Sequence, residues 1–185
     1  MNILTIVLVV GGVVLVWIIG TFNSLVRRRF HVREATSDID VQTKRRYDLI
    51  PNLMEAVKGY MAHEKGVFEN VTKARAAAMG TTGTPLEKAR AENMLSGALK
   101  SLFAVAANYP ELKANANFLD LQRELADTEN KIQAARRFYN DTVGDLNTKI
   151  ATFPSSIIAG MFGFKEEKFF ETSSAEEREP VKVKF

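Results

Sequence analysis

The hydrophobic and polar positions divide the chain into an apolar start and a longer part with helical periodicity. Residues 1–26 contain no Asp, Glu, Lys, Arg or His, and residues 3–22 are apolar almost throughout. A helix that is apolar on every face lies in a large core or in a membrane. About 20 helical residues are needed to cross the roughly 30 Å hydrocarbon layer of a bilayer. The pattern therefore predicts a transmembrane anchor over residues 1–26.

A cleaved secretory signal is the alternative interpretation of this segment. Such signals usually carry Lys or Arg before the apolar run and small residues at a cleavage site after it. Here only Met1 and Asn2 precede the run, and residues 20–23 (GTFN), at its end, show no such cleavage pattern. Both features favour a retained membrane helix.

Beyond the anchor, apolar residues recur every three or four positions, which is the spacing of one face of an α-helix. Three such stripes run over residues 53–78, 86–106 and 121–153. No stretch of four or more residues alternates like a β-strand until residues 181–185. The predicted fold class is therefore all-α. The transmembrane helix continues into an antiparallel bundle of about four long helices, over residues 27–164.

Proline and glycine mark the predicted ends of these helices. Gly80 closes the first stripe, and Thr84 and Glu87 then have the spacing of a capping box at the start of the next helix. Pro51 lies inside a continuous helical pattern, where proline removes a backbone hydrogen bond and crowds the carbonyl group four residues earlier. We therefore expect a break or a strong kink at Pro51.

The formal net charge of +3 is concentrated beside the anchor. Residues 27–50 hold 7 basic and 4 acidic side chains, and the chain beyond residue 50 is neutral. The positive-inside rule places such basic residues, and with them residues 27–185, in the cytoplasm, and the N-terminus outside. The basic residues nearest the apolar run, and the predicted membrane-interface residues, are Arg27, Arg28, Arg29 and Arg33.

The position of this charge favours lipid over nucleic acid as the partner. Basic residues beside a membrane exit attract anionic headgroups, whereas nucleic-acid-binding domains carry a basic patch or stripe on the domain itself. We therefore expect the lipid bilayer as a partner and no nucleic acid. The lack of cysteine suits a reducing compartment.

Residues that support catalysis or metal binding are sparse. The chain has two histidines, His31 and His63, and no cysteine. His63 and Glu64 begin like the zinc-hydrolase helix motif, but Val67 stands where the motif has its second histidine. No glycine-rich phosphate loop or nucleophile-elbow motif occurs. We predict that the protein is not an enzyme and takes no cofactor, metal or small-molecule substrate.

Several polar residues fall on or beside the apolar stripes, where a packed bundle requires them to be hydrogen-bonded or paired. One interpretation is a buried network that fixes the register of the helices. The alternative is a polar groove within the bundle that docks a protein partner. The candidates for this polar core network are Glu64, Asn93, Glu129, Asn130 and Arg136.

The C-terminal residues 165–185 are charged and are predicted to form a loose tail. Its last residues, Val183, Lys184 and Phe185, alternate in polarity and carry the free carboxylate, a pattern that can add as a strand to the edge of a partner's sheet. Alternatively, the end of the chain folds back on the bundle or on a neighbouring subunit. These three residues are thus a candidate partner-binding tail.

Small residues on the apolar helix suggest self-association. Gly11, Gly12 and Gly20 leave positions without side chains, and small residues let membrane helices approach closely. We therefore expect a homo-oligomer.

Several longer runs of residues carry a resemblance to a known family. They include residues 37–53 (SDIDVQTKRRYDLIPNL), 109–115 (YPELKAN), 128–132 (TENKI) and 135–140 (ARRFYN). In these runs, and over essentially its whole length, the chain closely resembles the LemA family of bacterial membrane proteins.

The resemblance implies a single-pass protein of the bacterial cytoplasmic (inner) membrane with a cytoplasmic helical bundle. The family has no established enzymatic activity. Its members are often encoded beside a membrane zinc metalloprotease of the HtpX type, and related proteins occur among magnetosome-membrane factors. We therefore expect a non-enzymatic scaffold or adaptor that recruits or regulates a membrane protein, such as an HtpX-type protease. The alternatives are a self-assembling membrane-organising protein and a membrane signalling rod.

Overall fold

The computed structural model describes residues 2–170, and over this part of the chain it contains six α-helices and no strand. The all-α prediction is confirmed. The helices are α1 (Ile3–Lys58), α2 (Lys65–Gly80), α3 (Pro85–Ala106), α4 (Pro110–Lys113), α5 (Ala116–Ala151) and α6 (Ser155–Met161).

The described residues form two compact units. The anchor unit contains residues 2–38 and 136–169, and the bundle unit contains residues 39–135 together with Phe170. The long helices α1 and α5 each contribute residues to both units. The predicted division after residues 26 and 164 concerns the membrane boundary, and it stays a prediction.

The first part of α1 has the properties expected of a membrane anchor. Among residues 2–170, α1 is the one helix long and apolar enough to cross a membrane, with a mean hydropathy of 2.9 in its most apolar window. None of that window is buried within the protein. Side chains that are apolar and uncovered on every face are favourable in lipid and unfavourable in water.

Pro51 does not end α1, so the expected break is wrong, whereas the alternative of a strong kink stays a prediction. The helix continues through Pro51 to Lys58. Proline inside a helix costs about 3 kcal/mol or more. The side chains of Ile50, Leu53 and Val57 are fully buried, and each contributes roughly 1.5–3 kcal/mol on burial. The packing of these neighbours therefore offsets the cost, while Pro51 itself faces outward.

In the bundle unit, α1 and α3 run in the same direction. Asp40 pairs with Lys88, and Arg46 donates a hydrogen bond to Ser96 at 2.9 Å. Both members of the second pair come later in the chain than those of the first, which defines parallel helices.

Helix α5 runs in the opposite direction to α1. Arg46 pairs with Glu129 of α5, whereas Tyr60, just beyond the end of α1, accepts a hydrogen bond at 3.3 Å from Asn115, which directly precedes α5. Short connections join α1 to α2 and α2 to α3, as in antiparallel helix pairs. The bundle unit is therefore the antiparallel four-helix arrangement that the sequence predicts. Its largest fully buried apolar side chains are Ile50, Leu53, Val57, Met61, Leu95, Leu102, Leu112 and Ile132.

The predicted capping box at the start of α3 is confirmed. The backbone N–H of Thr84 donates to Glu87 Oε2 at 2.7 Å, and the backbone N–H of Glu87 donates to Thr84 Oγ1 at 3.4 Å. This exchange satisfies two backbone donors that the first turn of a helix otherwise leaves without partners.

The apolar stripe on α5 is confirmed over most of its length. Leu125, Ile132, Tyr139 and Leu146 are all buried. The predicted end of the stripe at Phe153 is wrong, because α5 ends at Ala151 and the Phe153 side chain is exposed.

Candidate functional site

A fully buried arginine lies at the centre of the bundle unit. Arg46 of α1 is 1 % exposed, and its guanidinium group is held between two carboxylates. Nη2 pairs with Glu92 of α3, and Nη1 pairs with Glu129 of α5. The three helices are thus joined by one charged cluster.

Two hydroxyl groups complete this cluster. Arg46 Nη1 donates to Ser96 Oγ at 2.9 Å, and Ser96 Oγ lies 3.1 Å from Glu129 Oε1. Tyr47 Oη donates to Glu92 Oε1. We call these five residues, Arg46, Tyr47, Glu92, Ser96 and Glu129, the ionic core.

The ionic core holds two carboxyl groups for one guanidinium group. The Glu92 side chain is 7 % exposed, whereas the Glu129 side chain is 31 % exposed and retains contact with water. Removing charges from water costs several kcal/mol per ion, and their attraction repays this only when the geometry and the added hydrogen bonds are good. Because the cluster joins three helices at one level, it suits a role in fixing their register.

The predicted polar core network is only partly present in the ionic core. Glu129 belongs to it, whereas Asn93 and Asn130 are exposed, so their expected placement in the core is wrong. On α3 the residue that points inward is Glu92, one position before Asn93. Since one residue turns a helix by about 100°, a shift of one position moves a side chain from the core to the surface.

Glu64 and Arg136 lie outside the ionic core. Glu64 precedes the first residue of α2, and its Oε1 accepts a hydrogen bond from Tyr109 Oη at 3.1 Å. This hydrogen bond raises the pKa of Tyr109 above its ordinary value, with burial and the Glu64 charge acting in the same direction. Arg136 is half-buried and belongs to the anchor unit.

Arg46 and Glu92 were not predicted as site residues. Arg46 stands in the run Lys44-Arg45-Arg46, which looks like a solvated basic surface. Its position nevertheless carries a signal, because Ile39, Thr43, Arg46, Ile50 and Leu53 follow one another at spacings of four and three. A charged residue in phase with an apolar stripe indicates a buried partner of opposite charge.

The arginines beside the apolar run make few contacts with protein. Arg28 pairs with Asp145 of α5 at 3.0 Å, and the Arg29 guanidinium lies over the Phe164 ring at 5.1 Å. Arg27 and Arg33 are exposed. Arg27, Arg29 and Arg33 are thus exposed while Arg28 is paired, and the predicted contact of all four with the membrane stays a prediction.

A cleft of about 480 Å³ lies beside these arginines in the anchor unit. Its lining contains residues from the end of the apolar run together with basic and polar residues. The lining residues are Gly20, Asn23, Ser24, Arg27, Arg28, His31, Thr142 and Asp145.

A second cleft, the acidic groove, lies in the bundle unit and has a volume of about 530 Å³. Three carboxyl groups, from Glu55, Asp120 and Glu124, line it together with the partly buried side chain of Leu121. Asp120 is also paired with Arg123 at 3.2 Å. The remaining lining residues are Asn52, Ala56 and Asn117.

The predictions on metal binding and on the C-terminal tail stay predictions. Within residues 2–170, no group of three or more His, Asp or Glu side chains could hold a metal ion. The candidate partner-binding tail, Val183, Lys184 and Phe185, lies outside the described residues.

Comparison with known proteins identifies one matching family. The model of the LemA family matches residues 35–185. The protein LemA of Metamycoplasma hominis is 28 % identical, over 85 % of this chain and 72 % of its own length.

More distant relatives are magnetosome proteins. The magnetosome protein MamQ 2 of Paramagnetospirillum magneticum and the magnetosome protein MamQ of Magnetospirillum gryphiswaldense are each 22 % identical, over 83 % of this chain. The chain spans 66 % of the length of each of these two relatives.

Proposed function

The chain belongs to the LemA family, and on that premise we propose that it is a membrane-anchored helical adaptor, which holds a protein partner at the bacterial cytoplasmic membrane. One observation carries the proposal. The exposed apolar segment and two residues of the ionic core, Arg46 and Tyr47, belong to a single uninterrupted helix, α1. We therefore assign anchoring and partner binding to the helices joined through α1. Neither role requires a catalytic group.

The anchor is proposed to leave the bundle unit in the cytoplasm. The excess of arginine on the C-terminal side of the apolar run supports this orientation. Because the chain has no cysteine, single cysteines report orientation without background labelling. In spheroplasts, a membrane-impermeant maleimide is expected to label Asn2→Cys and to leave Glu69→Cys unlabelled until the membrane is opened. Labelling of Glu69→Cys alone in intact spheroplasts would reverse the proposed orientation.

The acidic groove supports docking of a basic partner segment. Glu55 and Glu124 are exposed at its rim, and the side chain of Leu121 offers an apolar contact within it. Complementary charge steers association and suppresses wrong partners more than it adds affinity. An amphipathic segment with Lys or Arg on its polar face fits such a groove. A cytoplasmic segment of a membrane protease of the HtpX type is the proposed partner.

Photo-crosslinking in cells tests the adaptor proposal. A photoreactive residue in place of Asn117 in the acidic groove is expected to capture one dominant protein, and the same residue in place of Gln133 is expected to capture none. Gln133 is a matched control because it is also exposed, on the same helix and in the same unit.

Charge reversal makes the test specific to the groove. Glu55→Lys combined with Glu124→Lys is expected to lower capture from Asn117 about tenfold or more, since each lost charge pair at an interface is worth on the order of 1 kcal/mol. Glu69→Lys combined with Glu111→Lys changes the net charge equally, at exposed positions outside the groove, and should leave capture unchanged. Equal loss in both double variants would contradict docking in the groove.

Self-assembly is the second candidate function. Gly11, Gly12 and Gly20 of α1 have open space where a Cβ atom would lie, so another helix can approach there closely. In the same crosslinking experiment, links between copies of this chain and to nothing else would favour the membrane-organising protein over the adaptor.

A further inference from the structure

A second uncharged segment follows helix α5. Between Lys149 and Lys165 there is no Asp, Glu, Lys, Arg or His. This segment contains α6 and is too short to cross a bilayer, because crossing takes about 20 helical residues. Uncharged apolar segments of this length belong either in a protein core or at a membrane interface.

The segment is not buried as a core segment would be. Ser155, Ile158 and Ala159 form the buried side of α6. Around them, four large apolar side chains face outward. Their exposed fractions are 81 % for Phe153, 53 % for Ile157, 72 % for Met161 and 53 % for Phe162. We call these four residues the α6 patch. Soluble proteins rarely expose apolar side chains in such a contiguous group without a binding role.

The α6 segment lies beside the end of the apolar run of α1. The Phe22 ring is 4.8 Å from the Phe162 ring and 5.8 Å from the Phe164 ring, between centroids. Arg29, one of the arginines next along α1, lies over the Phe164 ring at 5.1 Å. All of these residues belong to the anchor unit. The segment is therefore located where α1 passes from apolar to basic residues.

We propose that the α6 patch is a second membrane-contacting element, which lies in the interface of the bilayer while α1 spans it. Phe153, Ile157, Met161 and Phe162 would insert among the upper acyl chains. This inference rests on the anchoring of α1 and is independent of any protein partner.

Charge supports lipid as the occupant of this surface. Lys149 and Lys165 border the uncharged segment, and Arg29 contacts it through Phe164. An apolar surface bordered by basic side chains matches the layered chemistry of a leaflet, with acyl chains below anionic phosphate groups. A segment that lies in the interface in this way has its apolar side in the acyl layer and its basic residues in the headgroup layer.

Depth-dependent fluorescence quenching tests the proposal on the full chain. Single cysteines at Ile157 and at Asp141 are labelled with an environment-sensitive fluorophore, since the natural chain has no cysteine. The protein is reconstituted at one copy per nanodisc, made from phosphatidylcholine and phosphatidylglycerol with brominated acyl chains. Quenching is expected to be several-fold stronger at Ile157→Cys than at Asp141→Cys. Asp141 is an exposed residue of the same unit.

A third label, at Val13→Cys in the apolar run, distinguishes membrane contact by the α6 patch from membrane insertion of α1. Quenching at residue 13 with none at residue 157 would overturn the inference and leave the anchoring of α1 intact. Absence of quenching at both residues would overturn the anchoring as well. No quenching at residue 157, together with disulfide crosslinking of Ile157→Cys between copies at high protein density, would identify a second copy of the chain as the occupant, against the proposal.

Substitution within the patch gives a second measurement. Phe153→Ser combined with Met161→Ser is expected to lower the quenching of the label at residue 157, because the remaining apolar surface no longer holds α6 in the acyl layer. Both positions are exposed, so the anchor unit should keep its helical circular dichroism. Unchanged quenching in this variant would contradict insertion through the patch.

Discussion

Replacement of Arg46 by methionine is expected to cost the bundle about 3–5 kcal/mol of unfolding free energy. The substitution removes the cation that Glu92 and Glu129 share and leaves Glu92, which is nearly buried, without it. Methionine keeps much of the volume of the arginine stem, so the loss reports charge and hydrogen bonding more than packing. Urea unfolding of the full chain in mild detergent, followed by far-ultraviolet circular dichroism, measures the change.

Two control variants distinguish the loss of a buried charge from the loss of a positive charge at the surface. Lys44→Met removes a cation two positions earlier on α1, where Lys44 pairs with Asp48 on the surface at 3.0 Å. Such exposed pairs contribute about 0–1 kcal/mol. Adding Glu92→Met and Glu129→Met to Arg46→Met should recover most of the stability, because an apolar replacement of the whole cluster leaves no buried charge. A cost for Arg46→Met as small as that for Lys44→Met would show that the ionic core does not stabilise the bundle.

Arginine at both Val10 and Val14 is expected to remove the chain from the membrane. Each arginine near the centre of a membrane helix costs about 2.5–3.5 kcal/mol of insertion free energy, whereas an apolar residue contributes only about 0.3–0.6 kcal/mol. The pair therefore cancels the contribution of roughly ten or more apolar residues, which is most of the run. The fraction of protein that stays in carbonate-washed membranes measures the effect.

Leucine at the same two positions is the matched control and should leave the membrane fraction unchanged, because leucine is as apolar as valine in lipid. The washing removes proteins held only at the surface, so contact through the α6 patch does not mask the loss. If the arginine variant stayed in washed membranes at the level of the natural chain, α1 would not be the anchor.

The outline of the fold follows from sequence because it depends on strong, summed signals. An uncharged run of 26 residues has few alternatives, and the stripe on α5 repeats over many turns, so single exceptions do not obscure it. Pro51 shows where this approach fails. Its local cost is known, but the burial of Ile50, Leu53 and Val57 that offsets it depends on tertiary packing.

The site is harder to predict because it depends on the phase of each helix. On α3 the inward position is Glu92, and the choice of Asn93 followed from a stripe displaced by one residue. Arg46 was not recognised as buried because the two residues before it, Lys44 and Arg45, are also basic and are exposed. Glu129 and Asn130 of α5 were both placed beside the stripe, and only Glu129 enters the ionic core. The identity of a protein partner leaves no periodic pattern in the sequence comparable with that of the apolar stripes.

The ionic core also sets an order of events during synthesis. Glu129 follows Arg46 by 83 positions in the chain. At about 5–20 residues per second, the ribosome adds the carboxylate roughly 4–17 s after the arginine. Until then the Arg46 guanidinium cannot complete its set of partners, whereas the apolar run of α1, made first, already has everything it needs to enter a bilayer. Under the proposed anchoring, α1 can therefore enter the bilayer before the last carboxylate of the ionic core has been made.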